Sequence, residues 1–205
     1  MQELEKLSNN PLLSEYNEFT ALEPILGYHN ICRAYETLKG NAPKAYYHSM
    51  QITGIIESRN KINKNFIGRY VRGILNAAKC SADLGKKDES WQLLEKLKAT
   101  PVDNMGDAEW LELSYVSGLI YYLKAFPDPD RTELAKYAEE KIINPTLFSG
   151  AFKLICILDI AIFYFSLKNF HHSLDLLDII INKKTEGSKV VYVHTRLLQI
   201  VIHYE

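Results

Sequence analysis

At 205 residues and 23.6 kDa, with 24 basic against 25 acidic side chains, 47% apolar residues, 10 glycines and 7 prolines, the chain suits one soluble domain or one compact array of repeats. Balanced charge and a high apolar fraction exclude a disordered chain, and the low glycine and proline content excludes a collagen-like or linker-like one. Cys32, Cys80 and Cys156 stand 48 and 76 residues apart, without the spacing of a disulfide framework or a zinc knuckle, and fit a reducing compartment.

Met1 to Asn10 carries Glu3, Glu5 and Lys6 where a secretory signal needs a basic start and an apolar run, which predicts a cytoplasmic protein. Apolar residues then recur at three- and four-residue spacing, broken where Gly, Pro, Asn and Asp cluster, so helices are predicted throughout and no strand. The first long helix is predicted from Ala21 to Leu38, with Pro24 in its first turn and a stop at Lys39-Gly40-Asn41. Its partner runs from Pro43 to Ser58. A second pair follows at Lys64 to Leu84 and Asp88 to Lys98, with Gly85 as stop and Asp88 as N-cap. The third, Asp107 to Ala125 and Asp130 to Ile143, is divided by Phe126-Pro127-Asp128-Pro129, where two prolines forbid continuation. The fourth spans Thr146 to Lys168 and Phe170 to Asn182, and a ninth helix runs from Ser188 to Glu205. Within the fourth pair, Leu154 to Phe165 is the longest apolar run. Its 12 residues, broken by Asp159, fall short of the roughly 20 a bilayer needs and predict a buried helix.

Each long helix carries an apolar stripe with one small residue inside it. The stripes are Tyr28, Ile31, Cys32, Tyr35 and Leu38; Ile74, Ala77, Ala78, Ser81 and Leu84; Leu113, Val116, Ser117, Ile120 and Leu123; and Ile157, Ile160, Ala161, Tyr164 and Leu167. A one-residue shift of the third would place Gly118 in the small slot and Tyr121 in the aromatic one. A second small residue follows on each short helix, Ala45, Ser90, Ala135 or Ser173, with Ile52, Leu97, Ile142 or Ile180 seven residues on. Small side chains at such points let paired helices approach closely.

Long helix, tight turn and short helix in this order resemble the tetratricopeptide repeat, best in Ile157 to Ile180 and Ile74 to Leu97. The resemblance covers about Glu23 to Asn182, as repeats near 21–58, 64–98, 107–143 and 146–182 with a partial one at 188–205. The leucine spacings of 46, 39 and 44 residues exceed the family period of about 34, and the tryptophan that heads the family's units is missing. The resemblance implies an all-α, right-handed α-α superhelix, a single domain that belongs to a longer solenoid. It further implies a concave groove lined by polar residues of the long helices: His29, Asn30, Arg33 and Glu36 on the first, Arg72, Asn76 and Lys79 on the second, and Tyr115 and Tyr122 on the third.

Six basic residues and no acid lie between Glu57 and Asp83: Arg59, Lys61, Lys64, Arg69, Arg72 and Lys79. Such a surface suits acidic groups of a peptide through charge-assisted hydrogen bonds, with tyrosines supplying apolar contact. The basic and asparagine clamp of chaperone-binding tetratricopeptide domains is partial here, because Leu111 and Tyr115 stand where its third helix needs cations. Nucleic acid is disfavoured by a net charge of −1 and a pI near 6.6.

Nucleotide-binding, metalloprotease and serine-hydrolase motifs are missing, so no enzyme, cofactor or metal is expected. The nearest metal constellation is His171, Asp175 and Asp178 on one short helix. Cys80, beside Lys79, is the one candidate for a reactive thiol, and Asp159 is expected to reach solvent between helices or to face the groove opposite Arg or Tyr side chains. The apolar Leu197 to Tyr204 stretch predicts self-association or partner docking through the last helix. The expected role is a scaffold holding a protein or peptide in the groove; the alternative is a ligand-sensing regulatory domain of a larger signalling protein.

Overall fold

A computed structural model of the protein describes residues 22–59, 66–143, 150–182 and 189–205. Every regular element among them is helical: α1 (Leu22–Leu38), α2 (Ala42–Ser58), α3 (Ile67–Asp83), α4 (Lys87–Lys98), α5 (Met105–Ala125), α6 (Thr132–Ile143) after a 3₁₀ turn (Pro129–Arg131), α7 (Gly150–Ser166), α8 (Phe170–Asn182) and α9 (Lys189–Tyr204). The all-α expectation and the order of long and short helices hold. The parts of the expected boundaries that fall at 21, 60–65, 144–149 and 183–188 lie outside the described residues.

Three hairpins turn in the same way. Gly40, Gly85 and Lys168 take left-handed φ values of 71°, 73° and 60°. Their N–H groups return to the carbonyl three residues back, on Thr37, Ala82 and Phe165, at 3.0, 2.9 and 2.8 Å. The next N–H groups, of Asn41, Lys86 and Asn169, reach five residues back to Glu36, Ser81 and Tyr164 at 2.8 to 2.9 Å. This Schellman pair satisfies carbonyls that a helix end leaves open. The residue closing the first helix also opens the second, since the carbonyls of Asn41, Lys86 and Asn169 accept from Ala45, Ser90 and Ser173 at 3.0 to 3.1 Å. Asn41 and Asn169 add side-chain caps, to the N–H groups of Lys44 and His172 at 3.4 Å. The expected cap at Asp88 is displaced: α4 begins at Lys87, so Asp88 lies in the first turn, where its charge complements the helix dipole.

The turns realign the first hairpin. Counting back from the left-handed residues, His29 of α1 corresponds to Ile74 of α3 and Ile157 of α7. Buried side chains then match throughout: 25, 26, 29, 32 and 35 with 70, 71, 74, 77 and 80 and with 153, 154, 157, 160 and 163. The stripe expected from Tyr28 to Leu38 is therefore one residue out, because an extra residue separates Leu38 from the turn; Leu38 is 65% exposed. On the short helices the expected pairs Ala45/Ile52, Ser90/Leu97, Ala135/Ile142 and Ser173/Ile180 are all buried.

The chain divides into two compact units, residues 1–115 and 116–205, with the boundary inside α5. In the first, α2 packs on both α1 and α3, and α3 on α4, around Leu26, Ile56, Ile74, Leu94 and Leu97. Gly73 marks a close approach there: a β-carbon on it would stand 2.9 Å from Thr53 Cγ2. In the second, α7 contacts α6, α8 and α9 around Ile157, Ile160, Phe163 and Leu177. Each such side chain contributes about 1.5 to 3 kcal/mol on burial. Asp159 does not simply reach solvent; it accepts from Lys124 Nζ at 2.8 Å, and the same ammonium lies over the Tyr121 ring.

Candidate functional site

In the first unit, α1 and α3 flank a cleft of about 110 Å³. Leu26 and Ile52 give it apolar surface, Gly27 and Gly73 lie along its walls, and its polar side chains are Asn30 from α1 and Arg69, Arg72 and Asn76 from α3. The spacing explains the gathering. Residues 69, 72, 73 and 76 recur every three or four positions and so share one face of a helix, as do 26, 27 and 30. Gly27 borders open space, since a β-carbon there would meet nothing within 4 Å.

Arg33 stands one turn beyond Asn30, donating from Nη2 to Asn30 Oδ1 at 3.2 Å. Its Nε is buried with no acceptor among the described residues. Burial holds its pKa below the ordinary arginine value, opposed by the Cys80 thiol and reinforced by repulsion from Arg72. Arg69 pairs with Glu23. Among the described residues, no carboxylate pairs with Arg33 or Arg72. Arg72 and two amides thus face one small space, with Arg33 beside it.

Of the groove residues expected from the sequence, Asn30, Arg72 and Asn76 line this cleft and Arg33 adjoins it. Lys79 is partly exposed and lies outside the lining. His29, Tyr115 and Tyr122 are 2%, 2% and 1% exposed, so they belong to the core and not to an open groove wall. Burial pushes the Tyr115 hydroxyl up. His29 was missed as a structural residue because its partner is 19 positions away: its Nδ1 lies 3.0 Å from Nδ1 of His48. Two facing Nδ1 atoms at that distance require an N–H on one ring and a lone pair on the other, so the accepting ring is neutral. Burial, then the neighbouring His48, pushes His29 down to about 4. Arg69 was read only as part of the basic run and Gly27 was missed as a lining residue, although their three-residue spacings to Arg72 and Asn30 were readable.

The nearest metal constellation of the sequence, His171, Asp175 and Asp178, is held apart by other contacts. His171 and Asp175 are 3.8 Å apart, but Asp178 accepts from Gln199 at 2.9 Å, and no group of three metal-ligating side chains occurs among the described residues. Cys80 is buried, and burial followed by Asp83 pushes its thiol up to about 11, the reverse of an activated nucleophile. A second, broader hollow of about 440 Å³ lies between α6, α7 and the start of α8, where Glu139 meets His172 at 2.9 Å. On α9, Val191, Thr195 and Ile202 face inward, whereas Val190, Val193, Leu197, Ile200 and Val201 are exposed. No described helix is long and apolar enough to cross a membrane. In comparisons with protein-family models, with curated proteins and with solved structures, nothing matches this chain.

Proposed function

We propose that the chain is a non-catalytic protein-interaction module of the α-α superhelical kind, holding an acidic, extended segment of a partner protein. The shared turns of three hairpins support the repeat reading, and the cationic cleft supports the ligand class. Asn30, Arg33, Arg72 and Asn76 are the anchors, and Lys79, one turn further along α3, extends the positive surface. The observation that carries the reading is two arginines, unpaired by any carboxylate among the described residues, brought together on two long helices beside amide donors. Charge-assisted hydrogen bonds from arginine are the strong polar contacts available to a peptide.

Selection from a random-peptide library tests it. Aspartate- and glutamate-rich sequences should be enriched, and Arg72→Ala should weaken them about tenfold, the effect of losing one charged hydrogen bond, with the circular dichroism spectrum unchanged. Enrichment of apolar or basic sequences, or indifference to Arg72→Ala, overturns the reading.

A further inference from the structure

We propose that the cleft between α1 and α3 recognises a phosphoryl dianion carried on a serine or threonine of the partner segment, a refinement that rests on the acidic-segment reading above. Charge comes first. Among the described residues Arg69 is matched by Glu23, which leaves Arg72 in the lining and Arg33 beside it as two positive charges close enough to repel. A carboxylate neutralises one of them, whereas a phosphoryl group of charge about −1.5 to −2 neutralises both.

Donor geometry points the same way. Arg33 uses one of its five N–H donors on Asn30, and its buried Nε has no acceptor among the described residues. Arg72 and Asn76 offer donors from α3, on the other wall. A tetrahedral anion presents oxygens toward both helices at once, whereas the two oxygens of a carboxylate lie in one plane. Size narrows the source further. About 110 Å³ accommodates a phosphoryl group and its first carbon, but a nucleotide needs a pocket of roughly 300 Å³ or more. Leu26 and Ile52 offer that carbon an apolar surface.

The test measures fluorescence anisotropy of degenerate peptides centred on phosphoserine, serine or glutamate, with inorganic phosphate as competitor. Three proteins are compared: the unaltered chain, Arg72→Ala, and Gly27→Leu, which fills the open space without changing charge. The phosphoserine peptides should bind about tenfold more tightly than the glutamate peptides. Both variants should abolish that difference while retaining helical content. Equal binding of glutamate and phosphoserine peptides overturns the phosphoryl proposal and leaves the acidic-segment reading standing. Binding of neither overturns both. Inorganic phosphate as tight as the peptides overturns the peptide source, and phosphopeptide binding unchanged in Gly27→Leu overturns the placement in this cleft.

Discussion

The Ser90 hydroxyl donates to the carbonyl of Ala78 at 2.9 Å, twelve residues back across the α3–α4 hairpin. Ser173 does the same to Ala161, also at 2.9 Å and also twelve residues back, across α7–α8. Both serines are buried, and each lies five residues beyond its left-handed turn residue. The first hairpin has Ala45 at this place, so the site accepts a methyl group. Ser90→Ala and Ser173→Ala should therefore each cost only about 1 kcal/mol, the net worth of one hydrogen bond, in urea denaturation. Ser90→Val should cost more, by crowding a contact built for a small side chain.

Opposite signs are expected at two equivalent turns. Gly85 bears its φ of 73° without strain, so Gly85→Ala should destabilise by about 1 to 2 kcal/mol. Lys168 holds φ 60° with a β-carbon, and Lys168→Gly should stabilise by up to about 1 kcal/mol, reduced by the added freedom of the unfolded chain. Thermal melts of the two variants check both.

The His29–His48 pair makes stability depend on pH. His29 is held near 4 against 6.5 when unfolded, so its contribution is fully present above pH 6.5 and is lost as pH falls through 4. His48 is shifted in the same direction by burial, with Lys44 adding to it and Glu36 opposing. Protonating both rings also sets two N–H groups against each other in place of a hydrogen bond. Between pH 6.5 and 4.5 the His29 contribution should fall by roughly 2 kcal/mol. His29→Leu, which restores the apolar character of Ile74 and Ile157, should flatten the slope of denaturation free energy across that window; an unchanged slope would refute the assignment.

Gly73 is required by packing. Gly73→Ala gains about 1 kcal/mol of helix propensity but sets its β-carbon 2.9 Å from Thr53 Cγ2 and 3.3 Å from Ile52 Cγ2. Overpacking of this kind costs about 1 to 3 kcal/mol, so a net loss is expected. Thr53→Ser removes the nearer methyl and keeps the hydroxyl bond to the Met50 carbonyl, and should rescue Gly73→Ala in a double-mutant cycle.

Helix order, the stop at Gly85 and the small residues of the short helices were legible because each follows from local periodicity or from glycine's tolerance of positive φ. The slot at position 29 was not. A histidine in a long helix reads as a solvent-facing residue, and only the partner ring at position 48 reveals it as core. That substitution, together with the extra residue before Gly40, let an alignment anchored on Leu38 slip by one. The cleft was half legible. Asn30, Arg72 and Asn76 stood out as polar residues off the stripe, but pairing them across two helices needed the fold, and so did Gly27, which works by what it lacks. Lys124 was invisible as the partner of Asp159 for the same reason: 35 residues separate them.

The bends joining α1 to α2, α3 to α4 and α7 to α8 have no slack, since the residue after the left-handed position is already the cap of the next helix. One inserted amino acid would swing the following rod by about 100° around its own axis and carry Ala45, Ser90 or Ser173 away from the contact it makes. Length at these three corners is thus as constrained as side-chain identity in the interior, and peptide tags or reporter loops belong elsewhere on the chain.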